Sequence, residues 1–529
     1  MLTRRSFLAL CAAAGSTSLP LAPQALVAER AMARRYHLCL TPKAMEENPA
    51  LLDIVRQAGV TDIWLAAYFY GYWYETPERL RATAARLEYL GLRWHLVNVP
   101  LGHPGDSLGD KSGSTALTPP AHWQMAQRPD GTKYSGTSLH PPATEENVAA
   151  LGLLAGLKPD CIFLDDDFRL ATGPGVIGGC FCDTHRNDFL TRHGYADARW
   201  EELLGDVRDR RLSEVLRAWV NYTCDQLTAS FRAQQAAAPE VALGNMIMYL
   251  GAEKAGIRLS EYTDVPFRVG ELMFHDKGFG PVKGKTDELF SALFHRRYAR
   301  RDLAFSETTA YPADQLSARN MAAKLVVSTI TGVPNTMFMS GLTPFPAAHW
   351  DVLAPAMKEN ARIHDLIGDS RPQGPLKHYW GEAERYVGED KPFSLFLAMG
   401  IPFEVTDQIA TDGWTFLADF DARNLSEKAR QTTGQLVCRA SAGRVPEGLR
   451  AVDESLEGLW ALKREMLQAG LDVPHVIDEK PVVCAWYPEV GSVLLWNLGE
   501  GRETFQVRWR GSSVPVEVEG LGVGMVGLS

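Results

Sequence analysis

The strongest constraint on the fold is a rhythm. Between residues 36 and 341, eight short apolar runs alternate with amphipathic segments: "YHLCLT" (36–41), "TDIWLAAYFY" (61–70), "LRWHLVNV" (92–99), "CIFLDD" (161–166), "VALGNMIMYL" (241–250), "FRVGELMF" (267–274), "DLAFSETT" (302–309) and "NTMFMSG" (335–341). The runs are continuously apolar, as strands buried on both faces are, and do not alternate like half-exposed ones. Helix signals lie between them. Asn48 can cap a helix with Pro49 in its first turn and Gly59 at its end; Thr76, Pro77 and Gly91 do the same for the next. Eight strands with intervening helices over roughly 300 residues predict a (β/α)8 TIM barrel in preference to an open α/β sheet.

The chain has 529 residues, more than one core supports, so further domains are expected. Prolines and glycines in "DSRPQGPLKHYWGE" (369–382) mark a boundary. The expected organisation is an export signal over 1–33, the barrel over 34–370, a smaller α/β domain over 371–475 and a C-terminal antiparallel β domain over 476–529. The last shows apolar–polar alternation around glycine turns. At the N-terminus, Arg4 and Arg5 precede Phe7, Leu8 and a modest apolar stretch, with "AMA" at 31–33 as a cleavage candidate. This resembles a twin-arginine export signal and implies a periplasmic or secreted protein.

Composition is that of a soluble globular protein, 46% hydrophobic and 22% charged. The net charge of −10 argues against nucleic acid or an anionic membrane surface as partner, and "HRRYARRD" (295–302) reads as a solvated face. No other segment is long and apolar enough to suggest a membrane span. Eight cysteines include Cys11 within the signal, and the odd remainder argues against a fully paired disulfide framework.

Chemistry in a barrel sits at the C-terminal ends of its strands. The fourth run ends in Asp165, Asp166 and Asp167, followed by Arg169, and the seventh delivers Glu307. Two acids across a barrel mouth are the minimal equipment for glycoside hydrolysis. One protonates the leaving oxygen, and the other serves as nucleophile or as base for water. Crowded carboxylates raise one proton affinity, as an acid requires, and Arg169 can hold the others ionised. Alternation points Asp165 and Asp167 the same way and Asp166 the other. The tyrosine-rich stretch "AAYFYGYWYE" (66–75), with Tyr70 and Trp73, reads as a sugar-binding wall. Asn98, Asn245, Glu271 and His275 are further barrel-mouth candidates. A solvated turn, a carbohydrate-binding barrel without catalysis, and a metal-dependent hydrolase using Asp165–Asp167 are the competing readings. The absence of a paired-His motif counts against the last.

The order of parts resembles the clan A glycoside hydrolases, and most the family 42 β-galactosidases, which join a (β/α)8 barrel to a trimerisation-type α/β domain and a small β domain. In that clan an Asn-Glu pair ends strand four, with Glu as acid/base, and a Glu ending strand seven is the nucleophile. On this sequence these positions fall on Asp166, Asp167 and Glu307. The resemblance therefore implies an exported glycosidase with Asp167 as acid and Glu307 as nucleophile or base. It also implies a carbohydrate substrate, a homo-oligomer and no cofactor required for catalysis. The pair here is Asp-Asp, so the acid is one methylene shorter. The carboxyl separation is then expected to widen beyond the ~5–5.5 Å of retaining enzymes. The same β-galactosidases carry a Cys-x-Cys-x2-Cys run that binds structural zinc. Here "GGCFCDTHRNDFLTRHG" (178–194) offers Cys180, Cys182 and His185. His103 is the expected fourth ligand.

Overall fold

The eight runs form eight parallel strands that close on themselves: β1 (Arg35–Cys39), β2 (Asp62–Phe69), β3 (Arg93–Val99), β4 (Cys161–Leu164), β5 (Ala242–Met246), β6 (Phe267–Arg268), β7 (Ala304–Thr309) and β8 (Asn335–Met339). β1 pairs with both β2 and β8, which makes the sheet a barrel. The computed structural model describes residues 33–528 apart from 102–119, 134–138, 166, 167, 172, 248, 249, 252, 271, 272, 432, 433 and 441–444. The expected export signal therefore falls almost wholly outside the described residues, as do His103, Asp166, Asp167 and Glu271.

Local chemistry sets the helix ends. The Thr76 side chain accepts from Arg79 N–H with Pro77 in the first position, and Gly59 ends its helix in the left-handed conformation at φ 111°. Asn48 departs from expectation. It closes a preceding short helix, Pro42–Glu47, which is capped by Thr41, and the next helix begins only at Leu51. Strand six is also shorter than its apolar run. Among the described residues, strand pairing covers Phe267 and Arg268; Val269 N–H still donates to Phe305 O, and beyond it Ser291 Oγ donates to Gly270 O and Lys324 Nζ to Met273 O.

The barrel interior is filled from several strands. Trp64 of β2, Phe163 of β4 and Phe305 of β7 have ring centroids 4.9, 5.1 and 6.1 Å apart in their three pairs. Gly244 of β5 makes room for this layer, because a Cβ there would come within 2.7 Å of the Phe163 ring. Below the layer, at the N-terminal end, lies the buried Asp62. Arg35, Arg93 (3.1 Å) and His95 (2.8 Å) all reach its carboxylate, and the His95 ring stacks on Trp64. Burial alone would raise the Asp62 carboxyl, but His95, His37 and Thr61 together hold it well below the usual carboxylate range. Burial pushes His37 down to about 3, so its ring is neutral.

Beyond the barrel, a five-stranded parallel sheet comprises β9 (Leu376–Tyr379), β10 (Phe403–Thr406), β11 (Trp414–Leu417), β12 (Gln435–Arg439) and β13 (Arg450–Val452), in the order β10-β9-β11-β12-β13. Two three-stranded antiparallel sheets follow. The first joins β14 (His475–Val476), β17 (Glu503–Trp509) and β18 (Ser512–Val518). The second joins β15 (Val482–Tyr487), β16 (Ser492–Asn497) and β19 (Val523–Gly527). Val476, Cys484, Leu495, Phe505 and Val507 fill the space between the two sheets. Among the described residues, no helix is long and apolar enough to cross a membrane, and the seven cysteines are buried and unpaired.

Asp62 anchors Arg35 from β1 and both Arg93 and His95 from β3, so Asp62→Asn should lose about 3 kcal/mol of unfolding free energy at pH 7. The depressed carboxyl contributes stability above its unfolded pKa, and that contribution fades as pH falls through the folded value. The gap between wild type and variant in urea denaturation should therefore narrow once pH drops below about 4.

Candidate active site

The site is built on the layer above the aromatic floor. Side chains alternate along a strand, so Asp165 continues the inward face of Phe163, and Glu307 and Thr309 continue that of Phe305. Both acids are buried, Asp165 at 1% exposure and Glu307 at 8%. Between them stands Arg268, the last residue of β6, itself without solvent exposure. Its Nη2 donates to Asp165 Oδ1, and its Nε lies 2.9 Å from Glu307 Oε2. The remaining nitrogen, Nη1, lies 3.4 and 3.5 Å from the sulfurs of Met337 and Met339, and the guanidinium sits 5.9 Å from the Phe163 ring centroid. Thr309 Oγ1 donates to the other Glu307 oxygen, Oε1.

Electrostatics follow from this arrangement. One cation between two carboxylates favours the ionised form of both, and each carboxylate offsets part of the penalty for burying the arginine. The nearby thiol of Cys39, on β1, is pushed up to about 12, first by burial and then by Asp165, with Arg268 opposing. It is a thiol at neutral pH and not a nucleophile.

The other expected site residues are placed as follows. Arg169 is buried in the loop after β4, beside Phe168 and Leu170. Tyr70 is buried and left-handed at φ 54°, its N–H bonded to Val99 O, whereas Trp73 is 37% exposed on the hairpin after β2 and meets Tyr68 edge-on. Asn98 lies between Val97 and Val99, which line the interior, so it faces the helices. Asn245 follows the inward Gly244 and also faces out. Both amides are buried without a partner among the described residues, and neither meets Glu307. His275 caps the short helix Asp276–Phe279, with Nδ1 accepting from Gly278 N–H at 2.9 Å. That nitrogen serves the fold and not a ligand. Sequence reasoning missed Arg268 and Thr309. The only signal for Arg268 was a lone charge inside an apolar run.

A second cluster forms beside the barrel. Cys180, Cys182 and His185 come together as the resemblance implies, and among the described residues His140 joins them; His103, the expected fourth ligand, lies outside the described residues. One ligand atom from each lies within 4.8 Å of every other. His140 Nε2 is 3.6 Å from Cys180 Sγ and 3.7 Å from Cys182 Sγ, and His185 Nδ1 is 3.2 Å from Cys182 Sγ. A zinc tetrahedron with ordinary Zn–S and Zn–N bonds has edges of roughly 3.5 Å, so the donor set fits. Burial pushes His185 down to about 4 and lowers His140 as well, leaving both rings neutral, as ligands must be.

This architecture is found in solved structures. The β-galactosidase of the haloarchaeon Halorubrum lacusprofundi matches at a TM-score of 0.60 over 93% of this chain and 99% of its own, with 12% identity. That of Bacillus circulans sp. alkalophilus matches at 0.61 over 94% and 99%, also with 12% identity. That of Rahnella sp. R3 matches at 0.56 over 94% and 98%, again with 12% identity. The chain thus has the fold of these β-galactosidases, a (β/α)8 barrel followed by smaller domains. No family model matches the sequence, and no curated protein matches it.

Removing the arginine should expose what it balances. Arg268→Met leaves two buried carboxylates without their cation and should cost about 3–5 kcal/mol at pH 7. Carboxyls whose folded pKa is raised stabilise the fold only while protonated. The variant should therefore lose stability as pH rises from about 4 to 8, a trend that thermal unfolding across pH would read directly.

Proposed function

We propose that this chain is a glycoside hydrolase. The observation that carries the reading is Arg268 between Asp165 and Glu307, at the C-terminal ends of β4, β6 and β7, where a barrel keeps its chemistry. Glu307, paired with the arginine and bonded by Thr309, is held as an anion facing the barrel mouth. It serves as nucleophile or base. Asp167 serves as acid, a role that rests on its place in the sequence, two residues past Asp165 at the end of the fourth apolar run. Asp165 positions Arg268, and Asp166 contributes to the substrate pocket or tunes its neighbours. In the reaction, the bond from the anomeric carbon to the leaving oxygen breaks and that oxygen takes the Asp167 proton. Either Glu307 bonds to the anomeric carbon and water later displaces it, or Glu307 takes a proton from an attacking water. The half-exposed Trp73 offers a flat face for a sugar ring.

A metal-dependent hydrolase built on Asp165–Asp167 fits less well, because Asp165 already holds a cation, Arg268, where a metal would have to bind. A carbohydrate-binding barrel without catalysis differs only in turnover. The proposal includes export to the periplasm or medium and self-association, which cell fractionation and light scattering would test. It also includes a structural zinc held by His140, Cys180, Cys182 and His185, outside the reaction.

Purified wild type should hydrolyse at least one member of a panel of aryl glycosides. Glu307→Gln and Asp167→Asn, each confirmed folded by circular dichroism, should lower kcat by about 100-fold or more. Turnover unchanged in both variants would refute the assignment. Elemental analysis should find one zinc per chain, lost in Cys182→Ser together with several degrees of Tm, and metal-free wild type of unchanged Tm would refute the zinc site.

A further inference from the structure

The loop that leaves β4 follows the aspartates, and much of its backbone hydrogen bonding goes to other segments. Four of its backbone bonds bear on how it is held. Leu170 N–H donates to Ala255 O (2.7 Å), Gly178 N–H to Lys254 O (2.8 Å), Gly179 N–H to Leu170 O (2.7 Å), and Gly175 N–H to the Asp390 carboxylate (2.7 Å). Two of these lead to the loop after β5, and one crosses to the segment joining the helix Glu382–Val387 to the parallel sheet. Arg210 adds another tie, with Nη2 donating to Gly175 O and Nη1 to the carbonyls of Val387 and Gly388.

Lys254 and Asp390 are the centre of this junction. Their side chains are 1% and 2% exposed, and Lys254 Nζ lies 2.7 Å from Asp390 Oδ1 while donating to Glu384 O at 2.8 Å. Asp390 sits at φ 58°, a left-handed conformation that Asp and Asn accept better than most residues. Local sequence makes room for the pair. A Cβ at Gly251 would come within 2.5 Å of the Lys254 Nζ and 2.8 Å of Asp390 Oδ1, and one at Gly175 would meet the Glu389 backbone at 3.0 Å. A buried ion pair is a poor source of stability, since desolvating both charges cancels most of their attraction. What it does supply is a fixed geometry between the three segments it joins.

We propose that Lys254 and Asp390 are positioning residues for the strand-four carboxylates, and that the α/β unit is thereby part of the active-site scaffold. The pair docks the segment 384–390 onto the loops after β4 and β5. This dock keeps Asp165, at the start of that loop, in register with Arg268 and Glu307. The activity arm of the test rests on the glycosidase reading; the exchange arm does not.

The test compares Asp390→Ala, Asp390→Asn and Lys254→Met/Asp390→Asn with wild type in the full chain. Hydrogen exchange is followed in peptides spanning 168–182, and kcat and KM are measured on whichever aryl glycoside wild type hydrolyses. Asp390→Ala should speed exchange at Gly175 and Gly178 about ten-fold or more and lower kcat about ten-fold or more, with KM changed far less. Asp390→Asn keeps an acceptor for Gly175 N–H and the left-handed preference but leaves Lys254 without its counter-ion, so exchange and kcat should fall between those of Asp390→Ala and wild type. The double variant leaves no buried charge unpaired, so it should fold even where Asp390→Ala does not, and should still show the kcat loss. Asp62→Asn, at the opposite end of the barrel, supplies a destabilised control whose kcat should stay at the wild-type value. Unchanged exchange in Asp390→Ala or the double variant would overturn the proposal, as would a kcat loss that Asp62→Asn reproduces. If wild type hydrolyses no glycoside, the glycosidase reading fails, and the exchange data alone decide whether the junction orders the loop.

Discussion

Arg268 is the interaction on which the upper half of this barrel depends. A guanidinium with no solvent exposure needs carboxylates within reach, and buried carboxylates need a cation. Here each condition satisfies the other. Asp165 and Glu307 come from strands on either side of β6, so the ion pairs also set how β4 and β7 are disposed across the mouth. Planar geometry lets one side chain serve both acids from different nitrogens, which an ammonium on a flexible stem would do with less orientation. The sulfurs of Met337 and Met339 take the remaining edge, and Phe163 takes the face.

The two ends of the barrel solve opposite problems with the same chemistry. At the N-terminal end one carboxylate, Asp62, gathers Arg35, Arg93 and His95, and the assembly closes the floor. At the C-terminal end one arginine gathers two carboxylates, and the excess negative charge faces the mouth. Between them, Trp64, Phe163 and Phe305 fill the interior and separate the networks. The first arrangement gives rigidity. The second sets two carboxylates around one buried arginine, and nearby Lys254 pairs with Asp390 of the α/β unit.

The barrel was legible because strands buried on both faces must be apolar throughout, and eight such runs with capped helices between them admit few other folds. Glu307 and Asp165 were legible for a related reason: acids at the ends of buried runs are hard to place elsewhere. What lay beyond reach were partnerships across the chain. Arg268 is 103 residues from Asp165, and His140 is 40 from Cys180; nothing adjacent to either marks its role. Face assignment failed where one residue of register decides it. Asn98 and Asn245 occupy the right strands but the outward positions. Among the described residues of "FRVGELMF", strand pairing is shorter than the apolar run, and the Gly270 and Met273 carbonyls accept from Ser291 and Lys324. His275 looked like a site residue because a capping histidine and a ligand-binding one share the same sequence context.

The central claim is that Glu307 acts as an anion at the sugar's anomeric carbon. The measurement that tests it most directly is azide rescue of Glu307→Ala on an activated aryl glycoside. A small anion in the space left by the carboxylate should restore turnover and leave a glycosyl azide, identifiable by mass spectrometry and NMR. That product would place Glu307 at the reacting carbon. A Glu307→Ala enzyme that keeps wild-type turnover without azide, and forms no glycosyl azide with it, would contradict the account.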